Sequence, residues 1–467
     1  PMCNNIVMDT ASRQLVKVEA SNVLGEYRHE ISINRDKKFT ILYGPNGVGK
    51  TKMLEIIDGV SRMDSGRLRR IPFDSATLSY SDGSSLEVRR VQSSESQSGI
   101  DMHPDTLLKF TLRRPGEIDV IWRSEKDKFK EWVTETTPFV EMGQDIWRDT
   151  RDGELVTTSE LISRYGPPDT LFPNERSSEY EQIHDFLKTV PSFLIETQRL
   201  KISHYDNDTP RRPRGSRLGW PSRRFSGNPE SMITRQSQRI RSLLSEAQTN
   251  HSRITQTKDR TFPRRVLTGE GAKDAPDAQL ISERYDRQNA LRTRLARVAS
   301  VPLQDELPLP DRHLNDWELR LLQIYLDDTE YKLEPFTGVL NRIEMLEEFV
   351  NERLLNKVLE VNDAEGLVVR RKSDNEIIDL DSLSSGEQHE IILLVDMLFN
   401  VPKGAIVLID EPEISLHVAW QIDFIPMVAK IAELIDFVFI VATHSPQIIN
   451  GEMSSAVRLG PSGARFE

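Results

Sequence analysis

The chain has a single cysteine, Cys3, among 467 residues. That excludes an internal disulfide and a thiolate metal cluster, and it points to a reducing cytosol. No stretch approaches the roughly 18 consecutive apolar residues of a membrane span, so no membrane partner is expected. Mean hydropathy is -0.48. The first twenty residues, PMCNNIVMDTASRQLVKVEA, carry neither the basic nor the apolar region of a secretion signal. Basic excess is missing as well: 61 Lys and Arg stand against 73 Asp and Glu, a net charge of -12. Any grip on nucleic acid must then come from a local patch rather than from the overall field. The nine histidines are scattered, and neither an HNH arrangement nor Cys/His metal spacing is present; His103 and His417 read as loop and helix-start residues. What remains is an ordinary polar globular chain, long enough for two or three lobes.

Its organisation follows from hydrophobic period. Residues 14–43 read as strand, turn, strand, and KFTILYG runs directly into a glycine loop followed by the helical pattern TKMLEIIDGV. Residues 68–140 stay strand-rich, with a DG turn between two alternating runs, which predicts an antiparallel lobe. PSFLIETQRL reads as a core strand ending in a polar turn. Between Arg199 and Arg224 eight Lys or Arg meet two acids and three prolines, the composition of a loop. Residues 231–357 read as helices. Prolines 263, 276, 302, 308, 310 and 335 interrupt them, which predicts a compact or short-armed helical lobe rather than a long coiled coil. After 358 strands and helices return. The expected segments are 1–198, an N-terminal half; 199–357, a basic loop and helical insert; and 358–467, a C-terminal half.

GPNGVGKT, Gly44–Thr51, is a complete Walker A pattern in the strand–loop–helix context that phosphate binding requires. The backbone of Pro45, Asn46, Gly47, Val48 and Gly49 would wrap the phosphates of ATP, Lys50 would meet the β- and γ-phosphates, and Thr51 would ligand Mg²⁺. AIVLIDE ends a strand in Asp410 and Glu411, placed as a Walker B pair: Asp410 for Mg²⁺, Glu411 to polarise the attacking water. LSSGEQ, Leu383–Gln388, opens an apolar helix, and its N-terminal N–H groups suit an anion. His444 in VATHSP follows a strand where a γ-phosphate sensor would lie, and Gln198 in ETQRL could reach Mg²⁺ or the water. Each of these alone has a plain structural reading; together, in this order, they describe one site.

Walker A, the glutamine loop, LSSGEQ, DEPEISLH and ATHSPQIIN in sequence resemble the SMC/RecF/OLD branch of ABC ATPases. HSRITQTKDRTFPRRVL and SSGEQHEIILLVDMLF further resemble the stand-alone ATPases of anti-phage defence operons, such as AriA of PARIS and PtuA of Septu. The resemblance implies an α/β fold, a P-loop ABC-type ATPase head with an antiparallel β lobe and an inserted helical lobe. It implies that Ser384, with Ser385, Gly386 and Glu387, binds the γ-phosphate of a partner subunit, so that two ATPs lie between head-to-tail copies in a homodimer or larger homo-oligomer. Glu387 stands where the signature usually ends in glutamine, and His417 where transporters carry the D-loop aspartate; both are normal in the OLD-like branch. Tyr27 is the one nearby upstream aromatic for adenine. About 20 residues follow the His444 motif, too few for a Toprim nuclease, so nuclease chemistry would belong to another chain.

Three functions fit. One is an ATPase sensor that controls a separate effector, a nuclease, in phage defence. Another is a RecF-like repair clamp on DNA, and the third a non-hydrolysing scaffold in which ATP stabilises an oligomer. The basic segment with Arg211, Arg212, Arg214, Arg223 and Arg224 would engage either DNA or an acidic phage protein acting as trigger.

Overall fold

The computed structural model describes residues 13–34, 36–92, 106–124, 136–143, 146–149, 155–157, 177–195, 231–268, 277–299, 312–414 and 418–460, with 133, 161, 165, 309, 310 and 416 as isolated positions. Gln198, His417 and the basic segment around Arg211–Arg224 lie outside them. Contacts divide the chain into two units: 1–198 with 203–215 and 401–467, and 199–202 with 216–400. The second division therefore falls at 400, where the sequence suggested 357. Residues 358–400 pack on the helices that precede them, so the LSSGEQ helix belongs with the helical unit.

The first unit holds two large sheets. One is antiparallel, in the order β2 (Tyr27–Ser32), β1 (Leu15–Val23), β4 (Ser75–Tyr80), β5 (Ser85–Gln92), β6 (Thr106–Arg113), β7 (Val120–Arg123). β4 alternates half-buried and buried side chains along its length, as a strand with one covered face must. The other sheet is parallel, in the order β11 (Ser192–Ile195), β15 (Ile406–Asp410), β16 (Val438–Ala442), β3 (Phe39–Tyr43), β17 (Ala456–Arg458). All five residues of β15, IVLID, are buried, the signature of a central parallel strand covered on both faces. Helix α1 (Lys50–Ser61) lies against this sheet through Met53, Leu54, Ile56, Ile57 and Val60, every one fully buried. Its buried Asp58 accepts from Ser192 Oγ at 2.8 Å and Arg62 Nε at 2.9 Å, which ties α1 to β11. A third, small sheet, β8 (Phe139–Gly143), β9 (Ile146–Asp149) and β10 (Leu155–Thr157), has its own core of Val133, Phe139, Trp147, Val156 and Leu161. Helices α2 (Ser65–Arg70), α3 (Ser178–Lys188), α8 (Val418–Gln421), α9 (Phe424–Ile435) and α10 (Pro446–Ile449) complete the unit's described helices.

The second unit is built on α4 (Met232–Thr268), α5 (Ala278–Val298) and α6 (Asp316–Asn351). The prolines do not stop α4 or α6 as the sequence suggested: α4 runs 37 residues through Pro263, and α6 36 residues through Pro335, each about 55 Å. The reason lies in the exposure of the residues whose carbonyls they strand. Each proline denies a hydrogen bond to the residue four before it, Asp259 and Tyr331, and both of those are exposed, so water takes the bond. Packing between the helices offsets the rest. α4 and α6 run antiparallel, with Lys332 Nζ on Asp259 at 2.6 Å and Arg265 on Asp328. The hairpin of β12 (Lys357–Asn362) and β13 (Gly366–Arg371), with the short β14 (Ile377–Ile378), follows, then α7 (Ser385–Val395), which passes into a π-helical turn at Asp396–Asn400. Gln236 of α4 donates to Asp396 at 2.6 Å and ties that turn to the long helix.

A buried acid on α7 gives this unit a pH dependence. Glu390 is 3% exposed, and burial pushes its pKa up to about 7, Arg353 at 3.2 Å pulling it down and Glu387 adding to the rise. With the folded value above the unfolded one, the folded state holds the proton through that interval, and this stability is lost as pH rises through the folded pKa. At about 1.4 kcal/mol per unit the interval is worth about 3 kcal/mol. Glu390→Gln should therefore melt like the parent near pH 5 and higher than the parent near pH 8. A gain independent of pH in fluorimetric melts would sink this account.

Candidate nucleotide site

The site lies at the carboxyl ends of three adjacent parallel strands, where such sheets bind ligands. The register is level there: Asp410 faces Ala442 and Ala442 faces Leu42. Strand β16 sits between β15 and β3, so the turn after it, carrying His444, falls between the two acids and the P-loop.

The P-loop geometry follows from its glycines. Gly44 has φ +153°, and a Cβ there would lie hard against the carbonyl oxygen of Leu459. Gly49 caps α1 at φ +91°, in the left-handed region that other residues avoid. No acid occupies the first turn of α1, which leaves its positive end to a phosphate. Pro45, Asn46 and Gly47 form an exposed crown, while Val48 is buried. His29, on β2 and buried, donates from Nε2 to the Val48 carbonyl at 2.7 Å; burial lowers its pKa, keeping the ring neutral for that bond. The Tyr27 ring stacks on His29 at 5.8 Å.

Lys50 is 5% exposed. Its Nζ donates to the carbonyls of Gly44 at 2.9 Å and Pro45 at 3.0 Å, and to His444 Nδ1 at 3.3 Å. All three ammonium protons thus have acceptors, two in the loop and one on the ring. Burial lowers the Lys50 pKa, and Glu411, Glu413 and Asp410 oppose the fall. Because Nδ1 of His444 accepts from an ammonium, the ring's N–H belongs on Nε2, which faces Glu411 Oε1 at 3.3 Å. Lys50, His444 and Glu411 form one continuous chain of contacts.

Glu411 has φ +41°, rare for a side-chain-bearing residue and costing on the order of 1 kcal/mol or more. That turn comes directly after the buried strand and swings the carboxylate back toward His444. Thr51 Oγ1 donates to both carboxylate oxygens of Asp410, at 3.0 and 3.2 Å. A hydroxyl and a carboxylate are the oxygen donors Mg²⁺ prefers; among the described residues no cluster of three or more His, Cys, Asp or Glu side chains would hold a metal alone. The pair fits an ion whose other ligands are phosphate and water.

The signature residues belong to the second unit. Ser384 caps α7, and its hydroxyl accepts from Glu387 N, while Glu387 Oε2 accepts from Ser384 N at 2.8 Å: a capping box. Ser384 and Ser385 are exposed, and Gly386 is partly so. Lys357 Nζ donates to both oxygens of Glu387 at 2.9 Å, so the acid that replaces glutamine is charge-balanced and does not repel an anion at the helix end. Sequence reasoning missed Lys357, His29 and Glu413. The second acid of DEPE was the available signal for Glu413; the other two reach residues distant in sequence, His29 a P-loop carbonyl and Lys357 a helix residue.

Solved structures similar to this chain are heads of Smc proteins. One is a Pyrococcus furiosus Smc head domain with an extended coiled coil bound to the C-terminal domain of ScpA, 14% identical, with 96% of this chain and 93% of that chain covered at a TM-score of 0.38. Another is a Thermotoga maritima SMC head domain, 10% identical, with 95% and 92% covered at a TM-score of 0.28. No curated protein sequence matches the chain. A family model described as "AAA domain, putative AbiEii toxin, Type IV TA system" matches residues 39–450, from the strand before the P-loop to the turn after His444, and the chain belongs to that family of P-loop ATPases.

Proposed function

We propose that the chain binds MgATP between two copies of itself, hydrolyses it, and uses the cycle to hold or release a separate effector, a nuclease, in defence against phage. The observation that carries the ATPase reading is the contact chain Lys50–His444–Glu411 beside the Thr51–Asp410 pair. Lys50 would exchange two loop carbonyls for phosphate oxygens. Glu411 would take the proton of the attacking water, with His444 orienting its carboxylate through Nε2–H. Thr51 and Asp410 would hold Mg²⁺, which supplies charge neutralisation at the phosphates.

The defence role rests on the toxin and toxin–antitoxin system in the family's description and on the resemblance of the motif order to stand-alone defence ATPases. An ATP state that selects between two assemblies needs only a few kcal/mol of differential affinity from a trigger to flip it. Expression with its genomic neighbour and challenge with phage should show protection that Lys50→Ala abolishes. Glutamine at Arg211, Arg212, Arg214, Arg223 and Arg224 should weaken trigger recognition in a salt-sensitive way. A DNA clamp is the second reading. Its support is α4, which exposes Arg239, Arg253, Arg260 and Arg264 along one helical face. Absence of protection, with ATP-dependent binding of the purified chain to DNA ends, would favour the clamp.

A further inference from the structure

Glu413 sits two residues beyond Glu411 on the short turn Pro412–Ile414, and nothing in the motif reading gives it work. Its Oε1 accepts from the backbone N–H of His444 at 2.6 Å and from Thr443 Oγ1 at 2.9 Å. Its Oε2 is buried without a hydrogen-bond partner among the described residues. A carboxylate oxygen held out of water without a partner is costly, and such groups persist where their other contacts are needed. Those contacts are charge-assisted and short. They join the turn after β15 to the turn after β16.

The junction is doubled by a second link. Ser445 N donates to Thr443 Oγ1 at 2.9 Å, Ser445 Oγ donates to Gln421 Oε1 at 2.6 Å, and Gln421 Nε2 donates to the Leu416 carbonyl at 3.2 Å. Thr443, Gln421 and Ser445 are all buried. His444 is different: its ring is partly exposed, and its neighbours Lys50 and Glu411 touch it only at 3.3 Å. With the ring partly open to solvent, its backbone anchor matters for its place, and that backbone is held by Glu413.

We propose that Glu413 is the positioning residue for His444: by pinning the His444 N–H it fixes the ring between Lys50 and the general base. The assignment rests on the hydrolytic reading of the site. Glu411 and Glu413 share one turn, so the same few residues set both the base and the group that orients it. The competing explanation is that Glu413 acts as a negative charge near Lys50, and this is separable because glutamine keeps an acceptor oxygen and loses the charge.

The experiment is steady-state ATP hydrolysis and ATP affinity for Glu413→Ala, Glu413→Gln and Thr443→Val, each alone and combined with His444→Ala. A misplaced catalytic group costs on the order of 10–10²-fold, so Glu413→Ala should lower kcat by about that factor with KM and ATP affinity nearly unchanged. Glu413→Gln should recover most of the loss, and Thr443→Val, which removes one donor to the acid together with the acceptor for Ser445 N, should fall between. In the His444→Ala background Glu413→Ala should cost little more, since coupled residues are not additive. Additive losses, or a glutamine variant as slow as alanine with weakened ATP affinity, overturn the assignment and leave Glu413 as a charge near Lys50. If Glu413→Ala does not fold, the glutamine and Thr443→Val variants carry the same comparison. A wild-type chain without turnover overturns the hydrolytic reading itself, and this assignment with it; turnover lost on Glu411→Gln with additive Glu413 effects overturns the assignment alone.

Discussion

Glu411→Gln should keep ATP bound and slow its hydrolysis by about 10²–10⁴-fold, the usual effect of losing a general base. The substitution changes little else. The amide oxygen can take the carboxylate oxygen's place 3.3 Å from His444 Nε2, and the φ of +41° is no harder for glutamine than for glutamate. Lys50 and the P-loop are untouched, so nucleotide affinity stays. Lys50→Ala gives the opposite profile, because it removes the cation whose three protons converge on the loop carbonyls and His444. Phosphate release together with equilibrium binding of a fluorescent ATP analogue separates the two. Unchanged phosphate release in the glutamine variant would rule Glu411 out as base.

The parts of this site that were legible in the sequence are those fixed by local chain. The P-loop reads directly because its glycines, its lysine and the strand and helix around it are contiguous, and φ +91° at Gly49 is a property of that position alone. Walker B reads because four apolar residues and two acids are a strand end wherever they fall. The contacts that assemble the site were not legible, since they join residues remote in sequence: Glu413 with Thr443 and His444, His29 with Val48, Lys357 with Glu387. The helices were misjudged at Pro263 and Pro335 for a related reason. Proline's penalty is local, but whether the helix survives depends on which side of it faces water and on the partner helix that covers the other side. The boundary near 400 followed the same logic: the strands of 358–371 look like the head's, yet they pack on α4 and α6.

Ser384→Arg should leave the nucleotide affinity of a single chain intact and abolish ATP-stabilised dimers. Ser384 stands exposed at the N-terminus of an 11-residue helix, with its hydroxyl engaged by Glu387 and with Lys357 neutralising that acid, so the free N–H groups of the first turn keep their attraction for an anion. A phosphate from a second chain is the anion that the dimer reading supplies. Arginine there fills the approach, and it also removes a helix cap worth about 0.5–2 kcal/mol. Ser384→Asp separates the two effects, because aspartate caps as well as serine does but opposes a phosphate with its charge. Light scattering with ATP in the Glu411→Gln background, where hydrolysis cannot dissolve the complex, reads the outcome. Both variants should remain single chains where the Glu411→Gln parent doubles in mass. If the aspartate variant dimerises as well as the parent, the helix end is not against phosphate. If the arginine variant does so too, the association is built elsewhere, with the long helices of the second unit the first place to look.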